Sequence, residues 1–215
     1  MSERVITVKG VGSASAPPDW IKIYMSLKSK NLNYEKTLNL AAKHLEELRK
    51  SVQEHGFDKK DIKTTNFDIN TSYERVEYTN GSHERVFKGY VCSQELYVGF
   101  KSDSKKLGNI LASLSECKSK PEFSIKYELK DKKPLKEELL KNAVADATEK
   151  AKVIVDATSL QLGEIIKIDY NWSELRFIRE DFSLMESVCE SSEMLDIEPD
   201  DIEANDTVSI IWKIK

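Results

Sequence analysis

Glycine and proline are scarce in this chain, with eight and five residues among 215. This composition excludes collagen-like and low-complexity sequences, which depend on those residues. Cysteine is scarcer still, and the three present, Cys92, Cys117 and Cys189, are odd in number. A disulfide framework needs paired cysteines at higher density, so this set predicts reduced thiols in a cytosolic protein.

Long apolar runs are also absent. No stretch approaches the roughly 18 apolar residues of a membrane-spanning helix. The first residues, MSERVITVKG, alternate polar with apolar side chains, whereas a secretory signal needs a continuous apolar segment of about 7–15 residues there. The sequence therefore predicts a protein without a signal peptide or a membrane span, located in the cytoplasm.

The chain does contain abundant charge and enough apolar surface for a core. Charged residues make up 33% and apolar residues 40%, with a formal net charge of −4, which is typical of a soluble globular protein. The charge is uneven: residues 173–203 hold 11 acids and two arginines, whereas residues 101–136 hold ten lysines and five acids. The mild overall acidity argues against nucleic acid or anionic lipid as a partner.

Hydrophobic periodicity divides the chain into helices and strands. The predicted elements are strands at 4–12 and 19–30, a helix at 33–55 with Asn33 as its N-cap, a hairpin of strands at 61–79 and 83–100, a short helix at 104–116, a strand at 121–130, a long helix at 134–161 that Gly163 ends, and strands at 164–172 and 204–214. Residues 13–19 are predicted to be a loop, and residues 173–203 an exposed, partly ordered insertion.

These elements predict an α+β fold, with an antiparallel or mixed sheet and a long projecting β-hairpin packed against two long helices and one short helix. We expect one domain over residues 1–215, with the acidic insertion at 173–203, and we expect the first two strands to pair. In the long helix, Ala143, Ala147 and Ala151 form a ridge of small side chains at spacing four. Such a ridge permits close approach to a sheet or another helix.

The hairpin contains the sharpest local signal. Asn80-Gly81 is the preferred pair for a type I′ turn, whose two central residues need positive φ. That turn pairs residues whose numbers sum to 161, namely Ile69 with Cys92, Thr71 with Tyr90 and Thr65 with Leu96. It also places Glu77 opposite Glu84, an unfavourable pair of like charges, which a β-bulge near the tip is expected to relieve.

Seven segments follow one another between residues 5 and 172: ITVKGVGSASAPPD, DIKTTNFDINTSY, GYVCSQELYV, KKLGNIL, FSIKYELKD, AVADATEKAKV and LQLGEIIKI. In this order they resemble the SIMPL domain family, which includes periplasmic immunogenic proteins of Gram-negative bacteria and a namesake animal protein that associates with a pelle-like kinase. The resemblance implies an α+β domain with a projecting hairpin and a tendency to form rings or other homo-oligomers. It implies no known catalytic site.

Two features depart from the family's pattern. Members from Gram-negative bacteria usually carry a signal peptide, which this sequence is not expected to have. The acidic insertion at 173–203 is not part of the pattern either.

Glycines and histidines offer two weak site interpretations. Gly10-Val-Gly12 resembles the start of a dinucleotide-binding loop, but no helix follows it, so a turn at a strand end is favoured. His44 and His55 lie about 16 Å apart along the predicted helix, too far to share a metal ion. His83 lies beside the hairpin turn and is expected to be solvated. No cofactor-binding or metal-binding residue is therefore assigned.

The remaining candidates are thiols, acids and lysines. Cys92 is predicted to be a small core residue, and Cys117, near lysines at a helix end, would be reactive only if exposed. A cluster of acids lacks the glycine and terminal glutamate of an EF-hand loop, so a solvated acidic loop is favoured at Asp196, Glu198, Asp200 and Asp201. The lysines of residues 101–136 lack interleaved arginines, and Phe123 and Tyr127 fall on the apolar face of a strand, so nucleic acid is not predicted.

No catalytic residue is assigned, and the predicted function is that of a non-enzymatic, homo-oligomeric assembly or interaction protein of SIMPL type. A role in envelope or stress physiology is implied by the resemblance alone. The alternatives are a small-molecule-binding module and an enzyme, either a hydrolase or a thiol-redox protein. The opposite charges of residues 173–203 and 101–136 predict self-association that weakens with salt.

Overall fold

A computed structural model describes residues 4–77, 83–170, 176–177 and 198–215. In these ranges the fold is α+β with three helices, as predicted, and its antiparallel strands form two sheets rather than the single sheet expected. The helices are α1 (Tyr34–Gln53), α2 (Ser104–Glu116) and α3 (Lys133–Ala157). The strands are β1 (Val5–Ala16), β2 (Trp20–Asn31), β3 (Lys63–Glu77), β4 (His83–Lys101), β5 (Glu122–Glu128), β6 (Leu162–Asp169), β7 (Arg176–Phe177) and β8 (Ile202–Ile214). None of these helices is long and apolar enough to cross a membrane.

The contacts divide these elements between two compact units. The first unit contains β1, α3, β6, β7 and β8, and the second contains β2, α1, β3, β4, α2 and β5. The predicted pairing of β1 with β2 is wrong, because β1 pairs with β8 whereas β2 lies between β4 and β5. The inward residues of β1 include Gly10 and Gly12 and suit a closely approaching helix, whereas those of β2 are large and suit a wider gap.

In the first unit, α3 covers one face of a sheet with the order β1-β8-β6. Every residue of β1 pairs with β8, from Val5 opposite Lys213 to Ala16 opposite Ile202. The strand thus includes residues 13–16, which the sequence predicted as loop. The layer between helix and sheet contains Val8, the three alanines of the α3 ridge, Val208, Ile210 and Trp212.

Small side chains bring α3 very close to β1. Ala143, Ala147 and Ala151 are fully buried, which confirms the predicted ridge. A Cβ atom on Gly10 would collide with the carbonyl oxygen of Ala143 and would lie 2.7 Å from Cβ of Ala147. Gly12 has the same relation to Leu139 and Ala143. The two glycines are therefore required by the helix–strand contact.

The long helix ends earlier than the sequence predicts. It stops at Ala157 because Ser159 takes a left-handed conformation (φ 56°) and the Leu160 amide donates back to the Val155 carbonyl at 2.9 Å. This bond is typical of a helix C-terminus that reverses direction. Gly163 does not end the helix but lies in β6, where a Cβ would come within 2.8 Å of the Lys213 carbonyl oxygen.

In the second unit, the strand order is β3-β4-β2-β5, and α1 and α2 share one apolar core with these strands. The predicted N-cap of α1 is confirmed, since the Asn33 side chain accepts a hydrogen bond from the Lys36 amide at 3.0 Å. The bounds of α2 agree with the prediction. The core consists of large side chains, including Ile21, Ile23, Met25, Leu27, Leu48, Leu96, Ile110 and Leu114.

Two bulges modify the predicted register of the hairpin. Ile69 lies opposite Cys92 and Thr71 opposite Tyr90, as predicted. The predicted pair of Thr65 with Leu96 is wrong, because an irregularity between Thr64 and Asn66 brings Thr64 opposite Leu96.

The expected bulge near the hairpin tip is confirmed. Lys88 is the extra residue, between the pairs Ser72–Gly89 and Tyr73–Phe87, and Gly89 there has a positive φ of 111°. Glu77 consequently faces His83 rather than Glu84. Around the tip, residues 74–77 and 83–86 are exposed or half-buried. The predicted Asn80-Gly81 turn lies outside the described residues.

Little of the acidic insertion falls within the described residues. The two residues of β7 pair with Asn205 and Ala204 of β8, and residues 198–201 lead into β8. Residues 173–175 and 178–197, including Cys189 and Asp196, lie outside the described part of the chain. Their predicted state stays a prediction.

Candidate functional site

The three histidines occupy separate places. The Nδ1 atom of His44 lies 2.8 Å from the hydroxyl of Ser29, and Nε2 of His55 lies 2.7 Å from the hydroxyl of Ser113. His83 is exposed beside the hairpin tip. Among the described residues, no three histidine, cysteine or acidic side chains come close enough to hold a metal ion.

The two described cysteines are buried free thiols. Burial raises the pKa of Cys92, which is a core residue as predicted. Cys117 is also buried, and its sulfur lies 3.0 Å from the hydroxyl of Ser119. Because a reactive thiol needs access to its reaction partner, the burial of both sulfurs does not suit a nucleophile.

The Ser29–His44 pair has the distance of a nucleophile and its base but not the access. Ser29 is 2% exposed and lies on the inward face of β2. A buried hydroxyl with a hydrogen-bond partner is the ordinary state of a core polar group. The sequence contained a signal for this pair, because Ser29 continues the alternation of Ile23, Met25 and Leu27 as its first polar member.

A second polar pair lies in the first unit and has no sequence signal. The Tyr170 hydroxyl donates to the buried carboxylate of Asp206 at 2.6 Å, and the Thr207 amide donates to the same carboxylate at 2.7 Å. The bond to Asp206, together with burial, raises the pKa of Tyr170 to about 12. Each oxygen of this carboxylate thus accepts a hydrogen bond. Among the described residues, Asp206 is the one buried carboxylate, and it has no acid or base partner for catalysis.

The surface of the second unit carries a chain of aromatic rings, three exposed and one half-buried, here called the hairpin aromatic strip: Tyr34, Tyr90, Phe87 and Tyr73. Consecutive ring centroids lie 5.3, 5.4 and 5.7 Å apart, and all three contacts are edge-to-face. The guanidinium of Arg85 lies 5.0 Å from the Tyr73 centroid and extends the strip. Although these rings contact one another, Tyr34 and Tyr73 are each 48% exposed and Phe87 is 40% exposed.

The bulge at Lys88 creates the strip. Residues three apart on a regular strand point to opposite faces, but the extra residue puts Phe87 and Tyr90 on the same face. The Asn33 cap starts α1 at Tyr34 and so places that ring beside Tyr90. Sequence alternation alone would have assigned Phe87 to the opposite face, so the strip could not be read from the hairpin's pattern.

A match to a known family accompanies this geometry. A family model named SIMPL, described as a protein of unknown function (DUF541), matches residues 6–212. No curated protein matches the chain. Because the family model covers nearly the whole sequence, the chain belongs to the SIMPL family.

Proposed function

We propose that this protein is a non-enzymatic, homo-oligomeric assembly or interaction protein and that the hairpin aromatic strip is a contact surface between copies. The main observation that supports this proposal is the exposure of Tyr34, Tyr73 and Phe87 in one continuous strip. Contiguous exposed apolar surface marks interaction sites. Tyrosine, phenylalanine and arginine are also the residue types enriched at the centres of protein interfaces.

The charges at the end of the strip support a contact with a charged partner surface. Arg75 lies directly opposite Arg85 in the hairpin, an unfavourable pair within one chain. The exposed Glu77 side chain lies two residues from Arg75 in sequence. A second hairpin brings its Glu77 to these arginines, which offsets the repulsion and sets the register of the contact.

The edge strand β3 adds a second argument. It is 15 residues long, lies at the edge of its sheet and is mostly exposed. Long exposed edges are templates for pairing with another chain. Assembly along this hairpin would cover both the edge and the aromatic rings.

The other parts of the proposal rest on composition and on the family. We place the protein in the cytoplasm, treat residues 1–215 as one domain, and expect salt to weaken assembly through the opposite charges of 173–203 and 101–136. A link to stress or envelope physiology follows from the resemblance alone. A small-molecule-binding module or an enzyme is the alternative, and the burial of Ser29, Cys92 and Cys117 weighs against the hydrolase and thiol-redox forms.

Light scattering of three proteins tests the contact surface. We expect the unmodified chain to form an oligomer. In the double variant Tyr73→Ser/Phe87→Ser, the dissociation constant of that oligomer should be at least tenfold higher. The control is Phe123→Ser, because Phe123 is exposed to a similar degree, 36%, on the edge strand β5 outside the strip. An unmodified chain that is monomeric at every concentration, or a double variant with unchanged mass, would overturn the proposal.

A further pair of measurements tests the electrostatic part. Mass is compared at about 0.1 M and 1 M salt, where the Debye length falls from about 10 Å to about 3 Å. The same comparison is made with residues 173–203 replaced by a short Gly/Ser linker. Identical oligomers in all four cases would contradict electrostatic guidance and leave the aromatic contact as the source of affinity.

A further inference from the structure

The first unit has an incompletely protected sheet edge. Among the described residues, β1 bonds with β8 on one side and lies at the edge of its sheet on the other. The Val11 amide donates to the Asp146 carboxylate at 2.7 Å, and the Ser13 carbonyl accepts from the Asn142 amide at 2.9 Å. In an antiparallel pair, the amide and the carbonyl of every second residue point to the same side of the strand. The amides and carbonyls of the odd-numbered residues of β1 therefore point to this edge.

The two side chains from α3 protect only half of the edge. Asp146 occupies the Val11 amide and Asn142 the Ser13 carbonyl, whereas within the described ranges no such side chain reaches the groups of Val5, Thr7 and Lys9. An edge strand with unpaired amides and carbonyls is a template for another strand. The free stretch is about five residues long, or roughly 16 Å of extended chain.

A cleft lies beside this free stretch. It has a volume of about 450 Å³ and runs between β1 and the second half of α3. Its apolar wall consists of Val8, Val153 and Ile154, and Val153 is 62% exposed. Asp146, Glu149 and Lys150 complete the lining, so acidic side chains of an added strand suit the opposite face, where Lys9 lies. Because alternate residues of a strand point to opposite faces, every second side chain of an added strand would enter this cleft.

Charge selects among the possible occupants. Arg4 and Lys9 are exposed at the two ends of the free stretch. Residues 4–16 contain no acidic side chain, so a second copy of β1 would add like charges without supplying a partner for Lys9. A partner strand with acidic side chains would instead complement them.

We propose that the free edge of β1 binds an extended peptide segment of a partner protein by β-strand addition, with apolar side chains in the cleft alternating with acidic side chains near Lys9. The backbone of the peptide pairs with Val5, Thr7 and Lys9, and its apolar side chains contact Val153 and Ile154. Main-chain hydrogen bonds supply affinity in this mode, and the alternate side chains supply specificity. The site is independent of the hairpin aromatic strip, which belongs to the other unit.

Fluorescence anisotropy with a labelled peptide of alternating glutamate and valine, six residues long, tests this site on the full chain. Thr7→Pro removes one edge donor without removing a bond to β8, since proline is tolerated on the free side of an edge strand. We expect it to weaken binding at least tenfold. Lys9→Glu should weaken binding by a similar factor and favour a lysine–valine peptide, whereas Lys43→Glu on α1 should have no effect.

Further comparisons keep the outcome decisive. Val153→Asp, on an exposed helix position, replaces Thr7→Pro if that variant does not fold, and it should also weaken binding at least tenfold. A peptide of six glutamates should bind at least tenfold more weakly than the alternating peptide. The proposal would be overturned if the two peptides bound with equal affinity, or if the unmodified and Thr7→Pro chains bound the alternating peptide with equal affinity. It would also be overturned if the unmodified chain did not bind the alternating peptide at millimolar concentration. A change in oligomer mass with Thr7→Pro and no change in peptide binding would assign the edge to a second copy and also overturn it.

Discussion

Both units place helices against an antiparallel sheet, but they fill the space between the layers with side chains of different size. In the first unit, Gly10 and Gly12 face Ala143 and Ala147, so backbone approaches backbone. In the second, leucine, isoleucine, valine, methionine and phenylalanine side chains fill the layer under α1 and α2. Since close-packed interiors resist both added volume and cavities, the first layer should be sensitive to enlargement and the second to truncation.

Enlarging Gly10 should have the largest effect. In Gly10→Val, the new side chain meets the Ala143 carbonyl and Cβ of Ala147, and α3 can avoid it only by moving off the sheet. We expect a loss of more than about 4 kcal/mol in the free energy of unfolding, measured by urea denaturation. Gly108→Ala is the matched control, because a Cβ at Gly108 meets open space, and it should stabilise α2 by about 0.5–1 kcal/mol. A neutral Gly10→Val would mean that the helix does not lie close to β1.

Truncating a core side chain of the second unit should have the next largest effect. Leu48 of α1 is fully buried, so Leu48→Ala should lower the free energy of unfolding by about 2–5 kcal/mol through lost transfer energy and a cavity. The corresponding truncation in the first unit, Ala147→Gly, removes one methyl group and should cost only about 1 kcal/mol. Equal costs in thermal or chemical denaturation would remove the proposed difference between the layers.

Enlarging the alanine ridge should have an intermediate effect. Ala147→Leu adds volume at a fully buried position and should cost about 1–3 kcal/mol. Ala145→Leu, on the exposed side of the same helix, and Lys141→Ala should each stay within about 0.5 kcal/mol. The difference between the two leucine variants in urea midpoint isolates the effect of packing from helix propensity. No difference between them would place the ridge in solvent.

The smallest expected effect concerns the polar pair in the first unit. Tyr170→Phe removes one donor from the buried Asp206 carboxylate, which keeps the Thr207 amide, so we expect a loss of about 1–2 kcal/mol. Because the folded protein raises the pKa of Tyr170 to about 12 from an ordinary value of about 10, its stabilising contribution is complete below about pH 10. It is lost as the pH rises towards 12. Tyr170→Phe should therefore show a weaker fall in stability over that window, and an identical fall in both proteins would contradict the assignment.

Local patterns predicted the elements well, and long-range contacts explain what they missed. The bounds of α2 and the Asn33 cap follow from residues close in sequence, so periodicity and capping chemistry suffice for them. The partner of β1 lies some 200 residues away, which no local pattern can indicate. The early end of α3 depends on a left-handed Ser159, a conformation that serine adopts rarely.

The candidate surface was missed for a similar reason. The like-charge clash of Glu77 with Glu84 predicted a bulge near the hairpin tip, but not which residue would bulge. With Lys88 as that residue, Phe87 changes face and joins Tyr90. A shift of one residue on one strand therefore decides whether the aromatic rings form a continuous strip.

Hydrogen exchange as a function of protein concentration tests the central claim, that the hairpin is a contact surface between copies, most directly. Amide protection reports local burial and pairing, so it both detects assembly and locates it. We predict that protection in residues 63–77 and 83–91 rises with protein concentration, while protection in residues 5–9 of β1 does not. Protection that is independent of concentration throughout the chain, or that rises in β1 and not in the hairpin, would contradict the account.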